Sequence, residues 1–330
     1  MKHLDLFSGY GGFTISAKRL GWETIGLSEI DKYASSVLKF NFPEIKNYGD
    51  ISEIDFKQFL GKVDIITGGS PCQDLSVAGK RKGLSGKRSG LFFEFIRAIS
   101  ESKPTYFVWE NVKGAFSSNK GWDFAQVQIE MEQAGYDVWW QLLNAKAFGV
   151  PQNRERIFAI GVRKGGGREI LFEQRDSGQN PKRVKDIRAK VSDSDSMVAI
   201  DLSTQEAKTT DNVRSLQARY NKGYSHRKAE TSGVLVYDDY NSMVKMDGNI
   251  GSLTTNIGSK ATRTGTKLIE NMRIRRLTPT ECERLMGLED GWTAKGIMDG
   301  KEVDMSDTQR YKMCGNGVVV NCVDYIYSRL

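Results

Sequence analysis

Histidine is almost missing from this chain. Its 330 residues hold only His3 and His226. Histidine is the one side chain that titrates near neutrality without help, so acid–base chemistry here falls to Asp, Glu, Lys or water. Cysteine is scarce as well: Cys72, Cys282, Cys314 and Cys322 form no CxxC pair. That spacing argues against a zinc site and against a disulfide scaffold, and fits a reducing compartment. No run approaches the roughly 18 apolar residues of a membrane span. The opening MKHLDLFSGYGG lacks the apolar stretch of a secretory signal. The expectation is a cytoplasmic chain with no metal and no membrane partner.

Charge is not lacking. The formal balance is +7, which suggests an anionic partner such as nucleic acid. The length suits one large domain plus a smaller one.

The first half alternates strand-like and helix-like runs, which implies a mainly parallel sheet with helices on both faces. Strands are expected at His3–Phe7, Thr24–Leu27, Val63–Thr67, Tyr106–Trp109, Val138–Leu143 and Ile157–Val162, and Leu91–Ile99 has helical spacing. The character changes after Val162. Arg163–Lys190 carries nine Lys/Arg against four Asp/Glu. From there to about Ile269 the pieces are short, irregular and β-like. Regular pattern returns at Leu277–Gly287, where Thr278 reads as an N-cap, Pro279 as the first helical residue and Glu281 as the partner in a capping box. A last helix is expected from near Gly317 to Tyr327. Residues 1–164 plus 271–330 are expected to form one domain, and 165–270 another.

Several motifs carry chemistry. Asp5–Phe13, DLFSGYGGF, follows the first strand and opens a helix, so its glycines permit a tight turn and close approach of a ligand. Glu29 stands at the end of the second strand, where an acid can bond ribose hydroxyls. Asp50-Ile51 is expected to close a third strand beside the same pocket, with Asp50 accepting from an adenine amino group and Ile51 packing on the ring. The ordinary alternatives are a plain tight turn and a common Gly-Asp dipeptide.

Cys72 lies in GGSPCQDLS, among polar and turn-forming neighbours that display a thiol. Thiolates are strong nucleophiles, and a basic setting raises the ionised fraction. Lys80, Arg81 and Lys82 follow in a segment, 77–90, that holds four glycines; it reads as a basic loop able to close over a phosphate backbone, against the ordinary alternative of a solvated surface loop beside a buried cysteine. Glu110 ends the apolar run Phe107-Val108-Trp109, at the end of a strand that faces the usual ligand crevice. Burial there favours a carboxyl that holds or donates a proton; a helix-capping acid at a strand end is the ordinary alternative. Arg154 and Arg156, in QNRER, are two apart in extended chain and so are expected to share a face and grip an anion or carbonyl. A structural ion pair is the competing reading.

DLFSGYGGF, SPCQDLS, ENV, QNRER, LTPTECERLMG and GNGVVVNCV, in that order over residues 4 to about 325, resemble the motif series of the DNA cytosine-C5 methyltransferases. The resemblance implies a Rossmann-like α/β sheet that uses S-adenosylmethionine, with a smaller, irregular β-rich domain that recognises DNA. It implies that Phe7 stacks on adenine, Tyr10 and Gly12 line the methionine side, Glu29 holds the ribose, and Asp50 and Ile51 meet the adenine. Ile30, Pro71 and Leu91 join that set, and Asn316, Gly317 and Val318 close it. It further implies that the Cys72 thiolate attacks C6 of a flipped cytosine. Glu110 serves N3, and Arg156, with Arg154 nearby, holds the O2 side or the flanking phosphate. The products are 5-methylcytosine and S-adenosylhomocysteine. Gln73, Ser76, Lys80, Arg81 and Lys82 are placed on duplex DNA by the same likeness, as are Thr254 and Thr255 in the variable domain. A monomer acting on DNA in a prokaryotic or phage setting follows, and a cognate restriction enzyme is allowed as companion. One departure stands out: the last motif reads GNGV, where the family often has GNSV. An RNA-directed relative, a non-catalytic binding protein and a nucleotide-dependent oxidoreductase are the competing classes.

Overall fold

The computed structural model describes residues 1–71, 90–114, 122–165 and 273–330, and short strands at 199–201, 206–208, 212–214, 237–238, 243–244, 249–250 and 267–270. The chain forms two compact units. One holds Met1–Leu143, Glu155–Gln174 and Cys322–Leu330; the other holds Asn144–Arg154 and Arg175–Asn321. The helix at Pro279 thus groups with residues 175–321, whereas the sequence reading placed 271–330 with residues 1–164.

The first unit is built on a sheet. Its strands are β1 (Lys2–Leu6), β2 (Glu23–Ser28), β3 (Ile65–Gly68), β4 (Tyr106–Val112), β5 (Tyr136–Asn144) and β7 (Glu155–Arg163), after a two-residue β6 (Gln152–Asn153). The order across the sheet is β2-β1-β3-β4-β7-β5. β2, β1, β3 and β4 run parallel, and the middle strands β3 and β4 carry the apolar runs expected of a sheet covered on both faces. β7 runs antiparallel to β4, pairing Glu110 with Phe158 and Val112 with Arg156. The helices are α1 (Gly12–Arg19), α2 (Lys32–Asn41), α3 (Gly90–Ser102) and α4 (Trp122–Gln133). Leu4, Leu6, Ile66, Phe107 and Trp109 from the sheet meet Phe92, Phe95 and Ile99 of α3 in one buried cluster.

The second unit contains α5 (Pro279–Leu285) and α6 (Asp307–Asn316). The expected capping box is present: Thr278 Oγ1 accepts from Glu281 N at 3.2 Å, and Glu281 Oε2 accepts from Thr278 N at 2.7 Å. The last helix, α7, spans Val320–Tyr327 and begins three residues later than expected. Its end belongs to the first unit, where Tyr327 stacks on Trp22 at 4.5 Å and Asp324 pairs with Arg19 at 2.6 Å.

The expected third strand at Asp50 is not there. Asp50 is instead the N-cap of a short 3-10 turn, Ile51–Glu53, and its Oδ1 accepts from Ser52 N at 2.9 Å. A side chain that caps its own following turn competes with strand pairing.

Two polar groups lie buried on β1. His3 is fully buried between Thr24 Oγ1, at 2.9 Å, and Thr67 Oγ1, at 2.8 Å, and burial holds its imidazole down to about 3, so it is neutral. Asp5 Oδ2 accepts from Thr14 Oγ1 at 2.7 Å, and Oδ1 has no hydrogen-bond partner among the described residues. Burial pushes the Asp5 carboxyl up to about 7, against the pull of the Thr14 bonds.

A raised carboxyl favours folding while it is protonated. Asp5's contribution is therefore complete below its usual 3.8 and is lost as pH rises to about 7. His3 acts with the opposite sign: its contribution is present above 6.5 and is lost as pH falls toward 3. Asp5→Asn isolates the first effect. Relative to that variant, the wild type should gain stability as pH drops from 8 to 5, by a few kcal/mol, with about 4 as the ceiling over the full span. Urea unfolding at pH 5, 6, 7 and 8 reads the difference, and a flat difference would contradict a titrating Asp5.

Candidate active site

The carboxyl ends of β1, β2, β3 and β4 gather the candidate residues of the first unit, as the crevice rule for parallel sheets requires. After β1 the chain takes three left-handed residues within five: Phe7 at φ 55°, Gly9 at 56° and Gly11 at 89°. Glycine tolerates this. Phe7, with a Cβ, holds it at a cost of about 1–2 kcal/mol, and such strain clusters where a ligand is met. At Gly11 a Cβ would stand 2.8 Å from the Phe42 ring, so close packing of α2 also demands glycine there.

Glu29, just past β2, organises this turn. Its Oε2 accepts from Gly9 N at 2.7 Å and its Oε1 from Asp31 N at 2.8 Å. Burial raises its carboxyl, and the backbone bonds offset part of that rise. A carboxylate has about four acceptor directions, so beside the backbone N–H groups of Gly9, Asp31 and Ile30 there is still room for a hydroxyl to donate. Asn47, absent from the sequence reading, fixes the same region: its Oδ1 accepts from Glu29 N and Gly49 N, both at 3.0 Å, and its Nδ2 donates to Glu29 O at 3.1 Å. Its only sequence signal is the turn chemistry of Asn beside Tyr48-Gly49-Asp50.

The other expected cofactor residues of this unit differ in exposure. Tyr10 and Gly12 are buried, so their surfaces face protein. Ile30 is 73% exposed and Pro71 is exposed, while Phe7 and Leu91 are half-buried. Ile51 is buried, and Asp50 is half-buried. An acid tied to a tight left-handed turn at the end of a parallel strand suits a nucleoside-bearing ligand such as S-adenosylmethionine.

Glu110 stands near the end of β4. Its Oε1 lies 3.0 Å from Arg156 Nε, and both side chains are only 13–14% exposed. Arg156 Nη1 also donates to Glu155 O at 2.8 Å, which fixes the guanidinium. On the other side is Gly69, where a Cβ would meet Glu110 Oε2 at 2.8 Å. Any larger residue there would have to push the carboxylate from this position. The next residue, Ser70, is pinned to β4: its Oγ accepts from Trp109 Nε1 at 3.0 Å and its carbonyl from Asn111 Nδ2 at 3.3 Å. The chain that leads to Cys72 therefore departs from a fixed point beside Glu110. Cys72 itself, with Gln73, Ser76, Lys80, Arg81, Lys82, Thr254 and Thr255, lies outside the described residues.

Arg154 does not share the placement of Arg156. It belongs to the second unit, is 1% exposed, and its Nη2 donates to Gly315 O at 3.1 Å and Gly317 O at 2.6 Å. The expected common face fails because the strand breaks at residue 154, between β6 and β7. A cation on the last carbonyls of α6 is favourable in itself, and it holds the turn that carries Asn316, Gly317 and Val318. Asn316 is exposed and Val318 buried. Gln152 of the same motif donates to Leu285 O at 2.8 Å.

Among the described residues there is no cluster of three or more His, Cys, Asp or Glu able to hold a metal, and no helix long and apolar enough to cross a membrane.

Solved methyltransferases share this fold. The S. pombe Dnmt2 methyltransferase has a TM-score of 0.63 at 19% identity, with 99% of this chain and 97% of that one covered. Entamoeba histolytica methyltransferase EhMeth has 0.64 at 17%, with 100% and 97% covered. Among curated sequences, the type II methyltransferase M.HhaI of Haemophilus parahaemolyticus is 32% identical over 337 residues, 99% of this chain and 93% of its own. The orphan methyltransferase M.Rho11sI of Bacillus phage rho11s is 46% identical over 168 residues, 50% of this chain. The match spans 33% and 38% of the lengths of the two phage relatives, M.Rho11sI and M.SPRI. Residues 1–330 match the family of C-5 cytosine-specific DNA methylases. The chain belongs to that family.

Proposed function

We propose that this protein methylates C5 of a flipped cytosine in double-stranded DNA through a covalent bond between Cys72 and C6. The observation that carries the reading is the Glu110–Arg156 pair, seated against Gly69 beside the pinned Ser70 that leads to Cys72. Phe7, Glu29, Ile30, Asp50, Ile51, Pro71 and Leu91 hold S-adenosylmethionine, joined by Tyr10 and Gly12 and by Asn316, Gly317 and Val318. When bound, it supplies the methyl group that C5 accepts.

The chain's own residues do the rest. Cytosine C5 is a poor nucleophile. Addition of the Cys72 thiolate to C6 moves an electron pair toward C5 and N3. Glu110 shares a proton with N3 and so stabilises that charge, and Arg156 orients Glu110 and donates toward O2. After methylation, water or a phosphate takes the C5 proton, the C6–S bond breaks and the thiolate leaves. Flipping the base costs a few kcal/mol of unstacking. Gln73, Ser76, Lys80, Arg81 and Lys82 hold the backbone over the opened site, and residues 165–270, with Thr254 and Thr255, read the sequence. The protein acts as a monomer, in a prokaryotic or phage setting, where a cognate restriction enzyme is the natural companion.

The test is transfer of a labelled methyl group from S-adenosylmethionine to unmethylated duplex DNA, with RNA in a parallel arm. Label recovered from DNA as 5-methylcytosine is the expected result. Label in RNA alone, or on another cytosine position, would overturn the reading.

A further inference from the structure

Arg97 lies on α3, six residues after Leu91, and reaches into the segment that follows Asp50. Its Nη2 donates to Ile51 O at 2.8 Å and its Nη1 to Ile54 O at 2.7 Å. Its Nε donates to Glu94 Oε2 at 2.8 Å, Glu101 lies 3.5 Å away, and the guanidinium sits 4.8 Å from the centre of the Phe56 ring. Two acids and one aromatic face thus hold the fork in place. The fork clamps the first residue of the 3-10 turn and the residue just past its end. Asp50 caps the N-terminal end of that turn, next to the clamped Ile51, with Oδ1 taken by Ser52 N and Ser52 Oγ. Its other oxygen has no hydrogen-bond partner among the described residues, and the tilt of the turn decides where that oxygen points.

We propose that Arg97 is a positioning residue for base selection in the cofactor. By clamping the Ile51 and Ile54 carbonyls it aims Asp50 at a 6-amino purine and keeps Ile51 against the ring. This rests on the reading that Asp50-Ile51 meets adenine. Lysine cannot replace it, since one ammonium does not span two carbonyls with a rigid planar fork.

A merely structural tie and a selecting one differ in what they do to ligand preference. Titration calorimetry would compare S-adenosylhomocysteine with S-inosylhomocysteine, in which a 6-oxo group replaces the amino group. A site built to hydrogen-bond a polar group rejects the analogue lacking it strongly, so the wild type should prefer adenine by about 100-fold or more. Arg97→Met should cut that preference to about threefold, and Arg97→Lys should leave it intermediate. A variant that binds both ligands more weakly yet keeps the wild-type ratio would overturn the proposal, and Arg97→Lys decides the matter if Arg97→Met does not fold. A wild type that shows no preference, or binds neither ligand, would overturn the adenine reading itself and the role of Arg97 with it.

Discussion

Replacing Cys72 by alanine should lower methyl transfer by about 10⁴-fold or more, the scale on which loss of a covalent nucleophile is felt. Binding of S-adenosylmethionine and of duplex DNA should persist, because Cys72 is in neither the set assigned to the cofactor nor the set assigned to DNA. Serine should not rescue, since a hydroxyl is scarcely ionised at neutral pH and lacks the intrinsic nucleophilicity of a thiolate. A direct view of the adduct comes from duplex DNA with 5-fluorocytosine at the target. The last step needs a proton to leave C5; fluorine cannot leave that way, so elimination stalls and Cys72 stays bonded to C6. The wild type should form a complex that survives denaturing electrophoresis, and Cys72→Ala none. Transfer by Cys72→Ala at more than a hundredth of the wild-type rate would end the covalent mechanism. The structure supports this role through Ser70, which Trp109 and Asn111 tie to β4 within two residues of the thiol.

What could be read from the residues was what local chemistry decides. Thr278, Pro279 and Glu281 declared a helix start because every partner in a capping box lies within four residues. The place of Glu110 near the end of β4 was legible because the apolar run Phe107-Val108-Trp109 stops there. What stayed hidden depended on distant partners or on a break in pattern. The shared face of Arg154 and Arg156 assumed unbroken extended chain; the period of two holds only inside one strand, and the strand stops at residue 154. Asp50 looked like a strand end because nothing nearby announced that it would cap its own turn. α6, DTQRYKMCGN, has too little apolar periodicity to read as a helix. The reversed direction of β7 has no sequence signature, and Arg97 and Asn47 act on backbone groups, which leave no trace in side-chain pattern.

Glu110→Gln should lower kcat by about 10²- to 10⁴-fold, the usual worth of a positioned proton donor, with little change in the affinity for S-adenosylmethionine. Glutamine keeps the shape and can hydrogen-bond N3, but it has no proton to give, so the loss measures proton sharing and not fit. Arg156 should then behave as a dependent partner. In the wild type, Arg156→Gln releases the carboxylate now held at 3.0 Å and should cost a large part of the same rate. In the Glu110→Gln background it should cost far less, because groups in one network do not add. Gly69→Ala probes the same carboxylate from its other side. Its methyl would meet Oε2 at 2.8 Å and must push it away, and displacement of a catalytic group by about 1 Å is worth up to roughly 100-fold. The three variants share one readout, kcat on duplex DNA at saturating cofactor. Strict additivity of the Glu110 and Arg156 losses would mean that the arginine serves the base or a phosphate on its own account, and the 3.0 Å pair would then be a neighbour of the chemistry and not part of it.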